Sequence, residues 1–151
     1  MKVFLGGTCN ESTWRNRIIP MLTINFFNPV VPDWTPECRA EEIKQRNECD
    51  FVLYVITPKM TGVYSIAEAV DDSNKRPERT VFVRLREDGG QASPLRFDEG
   101  QWRSLGAVEQ MVRENGAACF HDLKSAALFL NKGKVNATNI FSVPEIRSQV
   151  P

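Results

Sequence analysis

The chain carries no excess charge of either sign: among its 151 residues, 19 Lys and Arg balance 19 Asp and Glu. Without a surplus of cations to neutralise phosphates, the broad electrostatic case for nucleic acid is missing, and no nucleic-acid partner is expected. Long apolar runs are absent too. Met1-Lys2-Val3-Phe4-Leu5-Gly6-Gly7 is too short for a signal peptide. No stretch approaches the roughly 20 apolar residues that span a bilayer, so no membrane partner is expected. Histidine occurs once, as His121, and Cys9, Cys38, Cys49 and Cys119 form no C-x-x-C pair and no metal-like spacing with it. These absences predict reduced thiols, no metal, and a soluble cytoplasmic protein. Neither G-x-G-x-x-G nor G-x-x-x-x-G-K-[ST] surrounds Gly6-Gly7, so no dinucleotide or NTP site is expected, and no cofactor.

What is present is ordinary globular material, 42% hydrophobic and 25% charged, of a length that fits one domain. Strand patterns at Val3–Leu5, Thr23–Phe27, Phe51–Ile56, Thr80–Leu85 and Ala117–Phe120 alternate with helical ones. The first helix, from about Ser12 to Leu22, takes Ser12 or Thr13 as N-cap and kinks or ends early at Pro20. Pro36 opens a helix running to Cys49 with Glu41, Glu42, Lys44 and Arg46 outward. Another helix runs from about Tyr64 to Asp71 or Ser73. Residues 86–94 form a polar loop, and further helices cover Trp102–Glu114 and Leu123–Leu130. Strand–helix alternation at this spacing predicts an α/β fold with a parallel sheet, right-handed crossovers and helices on both faces. A single domain over 1–132 with a C-terminal tail over 133–151 is the expected organisation.

The most informative stretch is Thr57-Pro58-Lys59-Met60-Thr61-Gly62-Val63-Tyr64-Ser65-Ile66-Ala67-Glu68. It follows an uninterrupted apolar strand and opens a helix, the place where α/β proteins bind ligands, beyond the carboxyl ends of the strands. A carboxylate in the first turn there lies near the positive end of the helix dipole, which favours its ionised form. Glu68 is therefore the candidate nucleophile or base. A structural role competes: Ser65-Ile66-Ala67-Glu68 spells a capping box, in which Glu68 would fold back on its own helix and could not face a substrate.

Four pieces carry a wider resemblance: Val3-Phe4-Leu5-Gly6-Gly7-Thr8 followed by Trp14-Arg15; Phe27-Asn28-Pro29 with Asp33-Trp34; Cys49-Asp50 before the apolar strand; and Thr61 to Glu68. In this order and spacing, over roughly residues 2–85, the chain resembles the nucleoside 2-deoxyribosyltransferase superfamily, in particular its small bacterial and phage branch. The resemblance implies a flavodoxin-like, doubly wound, five-stranded parallel sheet in the order 2-1-3-4-5, a three-layer αβα sandwich. It implies cleavage of the N-glycosidic bond of a 2′-deoxynucleoside by a Glu attacking C1′, through a covalent deoxyribosyl-enzyme intermediate captured by another base or by water. The alternatives are an N-glycosidase of deoxynucleoside 5′-monophosphates or a non-catalytic nucleotide-binding module. Glu68 stands at the family's nucleophile position. Two departures are Gly62, where the family commonly has Asp or Ser, and Ala69-Val70-Asp71-Asp72, where it has Gly-Tyr-Ala.

Retaining glycosyl transfer needs a carboxylate on one face of the sugar and an acid near the leaving group. Asp33, in the loop after the second strand, is the candidate acid or base reader, with an ordinary turn the equal alternative. Trp34 can cover a base. Asp71 and Asp72 are expected to face solvent. Gly6 and Gly7 allow close approach of the sugar or simply a tight turn. Trp14 stacks on a base or packs in the core, and Arg15 contacts a phosphate. Asn28, Thr61, Gly62, Tyr64 and Ser65 complete the expected substrate contacts, while His121 reads as a strand-end residue. The expected partner is a small molecule, a deoxynucleoside or deoxynucleotide with its nucleobase, and a homo-oligomer is expected by analogy with the family.

Overall fold

The computed structural model describes residues 1–9, 11–33, 35–89 and 93–133. Trp34 and the tail from residue 134 lie outside them. The sheet strands are β1 (Lys2–Gly7), β2 (Asn25–Phe27), β3 (Phe51–Ile56), β4 (Thr80–Arg84) and, last among the described residues, β7 (Ala118–Phe120). All pair in parallel, in the order β2-β1-β3-β4-β7, which is the predicted order with β7 as fifth strand. Five helices flank it: α1 (Trp14–Ile18), α2 (Pro36–Glu48), α3 (Tyr64–Lys75), α4 (Glu99–Glu114) and α5 (Leu123–Lys132). This is the three-layer, flavodoxin-like αβα arrangement.

The period-2 alternation of β3 divides the core. Phe51, Leu53 and Val55 face the α1 and α5 side, with Trp14, Ile18 and Leu130. Val52, Tyr54 and Ile56 face the α3 and α4 side, with Ala69, Leu105 and Val112. All six β3 residues are buried, so each strand face removes apolar surface from water, roughly 1.5–3 kcal/mol for each large side chain.

Several boundaries move for physical reasons. α1 stops at Ile18 and tightens into a 3-10 turn over Ile19–Met21, where Pro20 cannot donate an α-helical hydrogen bond. Thr13 takes the N-cap position, as one of the two expected residues, but makes no side-chain cap bond, and the Ser12 hydroxyl reaches Asp88. α4 begins at Glu99, not Trp102, because Asp98 and Gln101 form a reciprocal capping box. The expected loop at 86–94 contains one short strand, β5 (Glu87–Asp88), which pairs antiparallel with β6 (Leu95–Arg96) just beyond it. Asp88 is buried, and its contact with Ser12 ties this hairpin to the loop after β1.

At the end of β1 the chain needs a residue with no side chain. Gly7 has φ +108°, and a Cβ there would lie 2.2 Å from the Val55 carbonyl oxygen and 2.6 Å from its nitrogen. That close approach delivers Thr8 to the sheet edge, where its amide donates to Val55 O at 2.9 Å.

Candidate active site

The order of the sheet reverses between β1 and β3, and the crevice beyond their carboxyl ends is the expected ligand position. A cavity of about 260 Å³ lies there, walled by Gly7, Thr8 and Cys9 after β1 and by Met60, Thr61, Gly62, Tyr64 and Ser65 after β3. Thr8 Oγ1 accepts from Thr57 N at 3.0 Å, binding the two loops together. Gly62 faces open space, with nothing within 4 Å of where a Cβ would stand.

Glu68 is not in the capping box. α3 starts at Tyr64 with Val63 in the cap position and no side-chain cap bond, so Glu68 is the fifth helical residue, beyond the first turn. Its carboxylate lines an adjoining groove of about 370 Å³ between α2 and α3, together with Arg39, Glu42, Ile43, Arg46 and Tyr64. Tyr64, exposed to solvent, is the wall shared by groove and crevice.

Glu68 belongs to a network that spans the two helices. Arg46 Nη1 lies 3.1 Å from Glu68 Oε1, and Arg46 Nε donates to Asp72 Oδ2 at 2.9 Å. Asp72, only 1% exposed, also accepts from the Tyr54 hydroxyl at 2.6 Å and from Arg76 Nη2 at 2.7 Å. Burial tends to raise the Asp72 pKa, but the hydrogen bonds from Arg46, Tyr54 and Arg76 outweigh it and hold it below the usual carboxylate range. Burial pushes the Tyr54 phenol well up, and Asp72 pushes it further. Burial disfavours the charged guanidinium of Arg46, yet Asp72, Tyr54 and Glu68 hold its pKa above the ordinary value.

Glu68 itself is raised. Burial is the main cause; Arg46 opposes it, and the negative charges of Glu42 and Asp72 add to it. This reverses the expectation of a carboxylate held ionised by the helix dipole, because Glu68 sits past the first turn and is desolvated. Two further expectations are corrected. Asp72 is buried, although Asp71 does face solvent, and Arg46 and Glu42 turn towards α3 rather than outward.

The remaining predicted residues divide. Thr61, Gly62, Tyr64, Ser65 and Gly7 line the crevice. Gly6 is buried within β1, where a Cβ would press on the Tyr54 ring at 3.0 Å, so it makes room for packing rather than for a sugar. Trp14 is fully buried and donates from Nε1 to Thr8 O at 2.8 Å, which makes it core rather than a stacking platform. Arg15 lies over the Trp14 ring and spends its guanidinium on the carbonyls of Leu5 and Thr8, at 2.9 and 2.8 Å. It fixes the loop after β1 rather than reaching for a phosphate. Asn28 is exposed and its Oδ1 accepts from Val30 N at 3.1 Å, an Asx-type turn. Asp33 is exposed on the loop before α2. Trp34 lies outside the described residues.

Sequence reasoning missed Arg46, Asp72, Tyr54 and Glu42. Their only linear trace is an Arg in a helix facing a carboxylate-rich one, which does not specify a contact. Among the described residues, no three His, Cys, Asp or Glu side chains gather as a metal-binding group would. No helix there is long and apolar enough to cross a membrane.

Fold and site together define an α/β protein of the flavodoxin-like class, with its crevice at the switch point between β1 and β3. Residues 1–84, more than half of the chain, match the family described as nucleoside 2-deoxyribosyltransferase like, and the chain belongs to that family. The match takes in β1, β3, the crevice and Glu68. A search of curated proteins returned no match.

Proposed function

We propose that this protein cleaves the N-glycosidic bond of 2′-deoxynucleosides, with Glu68 as nucleophile. The observation that carries the reading is the family match across the segment bearing Glu68, joined to a Glu68 carboxylate that is partly buried, free of any capping role and in a groove that shares Tyr64 with the crevice. A Glu68 oxygen attacks C1′ as the C1′–N bond breaks, and the base leaves with a proton delivered to its ring nitrogen. Water or a second base then attacks C1′ and releases the carboxylate. Because the sugar lacks a 2′-hydroxyl, its electron withdrawal does not oppose the cationic transition state. Arg46 assists by favouring the ionised form of Glu68 against burial. Asp33, on the loop after β2, supplies the proton, and Glu42, which shares the groove with Glu68, is the competing donor. Thr61, Gly62, Tyr64 and Ser65 hold the sugar. A cytoplasmic homo-oligomer that needs no cofactor completes this reading.

A second reading, cleavage of deoxynucleoside 5′-monophosphates, is favoured by the start of α3. That end has no side-chain cap and no acidic residue in its first turn, and Tyr64 and Ser65 line the crevice. Unsatisfied amides and the positive dipole end suit a phosphate.

Both readings are tested by chromatography of products from wild type and Glu68→Gln, incubated with deoxynucleosides or their monophosphates, with and without a second free base. A new deoxynucleoside formed only by wild type is the expected result. Free base without exchange makes the protein a hydrolase, and turnover of monophosphates alone selects the second reading. Silence across the panel leaves a binding module, whereas full activity in Glu68→Gln overturns the assignment of Glu68 as nucleophile.

A further inference from the structure

A second cavity opens on the same sheet edge but shares no residue with the crevice. It measures about 880 Å³ and lies between α1, the segment after β4, β6 and the start of α5. Its charged lining is uneven: Arg17, Arg86, Arg96 and Lys124 against Glu87 and Asp122, two cations in excess in a chain that is neutral overall. The carboxylates are already occupied. Glu87 pairs with Arg96 at 2.6 Å, and Asp122 caps α5, accepting from Ser125 N at 2.7 Å and from Ser125 Oγ at 2.8 Å.

The cations are less well matched. Arg17 and Lys124 are exposed and make no side-chain hydrogen bond or salt bridge among the described residues. Arg86 gives Nη2 to Glu99 and lies over the Trp102 ring at 5.0 Å, but its Nη1 is buried with no hydrogen-bond partner there. Behind the cleft, Glu109 is shared by Arg84, Arg113 and His121, so that layer contributes no negative surplus. Pro20, Met21, Leu85 and Leu123 supply apolar surface between the charges.

We propose that this cleft binds a small phosphorylated organic molecule, with the phosphoryl group held by Arg17, Arg86 and Lys124 and the organic body on the apolar surface. Arginine forks match phosphoryl oxygens, and a cavity of this volume lies within the range of small-molecule sites, roughly 300–1,000 Å³. Four elements each contribute one cation to one concave surface, whereas a merely solvated face would spread them. The family match ends at residue 84, so Arg86, Arg96 and Lys124 lie outside the part of the chain it covers, while Arg17 lies within it. The cleft shares no residue with the Glu68 groove, and the proposal stands whether or not Glu68 is a nucleophile.

The test is calorimetric titration of the full chain with AMP, with adenosine and with inorganic phosphate. AMP serves because its 2′-hydroxyl sets it apart from a deoxyribosyl donor. AMP is expected to bind, adenosine to bind at least about tenfold more weakly, and inorganic phosphate to displace AMP. Arg17→Glu and Lys124→Glu, both at exposed positions, are each expected to weaken AMP by about tenfold or more, and Ser65→Ala to leave it unchanged. Absence of AMP binding at millimolar concentration, equal affinity for adenosine, or AMP affinity unmoved by both reversals overturns the proposal. Loss of AMP binding in Ser65→Ala also overturns it, by locating the nucleotide in the crevice.

Discussion

Asp72→Asn tests the network that holds α2 against α3. Asp72 is 1% exposed and accepts hydrogen bonds from Tyr54, Arg46 and Arg76. The amide keeps one acceptor oxygen, turns an NH2 group towards those donors and removes the charge that both guanidiniums face. Breaking a buried ion pair by altering one partner costs roughly 3–5 kcal/mol. Arg46 and Arg76 keep 16% and 17% of their side chains exposed, so water recovers part of the loss and the low end applies, about 3 kcal/mol. At roughly 2–4 °C per kcal/mol for a domain of this size, Tm should fall by about 6–12 °C near neutral pH. The acid dependence follows from the depressed pKa. Asp72 binds its proton more weakly folded than unfolded, so its contribution is complete above the unfolded value, about 3.9, and is lost as pH falls through the lower folded value. Thermal melts of wild type and variant over a pH series should therefore converge in acid. A loss below about 2 °C at neutral pH, or a gap that stays open in acid, would refute the reasoning.

Two further substitutions separate the roles of individual groups. With Asp33 as proton donor, Asp33→Asn should lower kcat/KM by about 100-fold or more, while Glu42→Gln stays active. Because the Glu42 charge raises the Glu68 pKa, Glu42→Gln should also move the acid limb of the pH–rate profile to lower pH; a large loss in Glu42→Gln alone transfers the acid role to Glu42. Gly7→Ala should lower Tm by several degrees and reduce activity with it, since the backbone at φ +108° costs about 1–3 kcal/mol with a side chain and the Cβ meets the Val55 backbone at 2.2 Å. A Gly7→Ala melt within 1–2 °C of wild type, read by circular dichroism, would show that the loop after β1 relaxes freely, contrary to the packing argument.

The elements that were legible in the chain are those whose signal is local. Phe51–Ile56 reads as a doubly buried strand because six apolar residues in a row have no other economical use, and Pro36 marks the start of α2 because its ring fits a first helical turn. Asp98-x-x-Gln101 carried an equally local signal for α4, a capping box spelled with Asp and Gln, and the start at Trp102 overlooked it. The β5–β6 pair has two residues per strand, too few for any periodicity. Ser65-x-x-Glu68 spelled a cap that does not form, because the chain enters α3 two residues earlier and makes Val63 the cap. Trp14 takes the core alternative and Arg15 turns to backbone carbonyls instead of outward to a phosphate, a choice that only the tertiary fold decides. Arg46 was the hardest to see. α2 buries none of its own residues, so a helix-face argument calls every charge on it solvated. The partner that desolvates Arg46 lies on α3, 26 residues away at Asp72.

That arrangement bears on the chemistry proposed for Glu68. A carboxylate paired tightly with its own arginine is stable and a poor nucleophile, while one buried without a cation takes up a proton and cannot attack. Arg46 is divided between Glu68 and Asp72, and Asp72 has the shorter contact, at 2.9 Å against 3.1 Å. Asp72 is in turn saturated by Tyr54 and Arg76, so it anchors the guanidinium without needing to move. Glu68 receives the residual field of a cation whose first allegiance lies elsewhere. Burial raises its pKa, Arg46 opposes that rise, and the groove in which it lies shares Tyr64 with the crevice. Tyr64, 69% exposed, is the side chain common to groove and crevice. On the proposed reading, the reacting carboxylate in the groove and the sugar contacts in the crevice meet at Tyr64, which lines both.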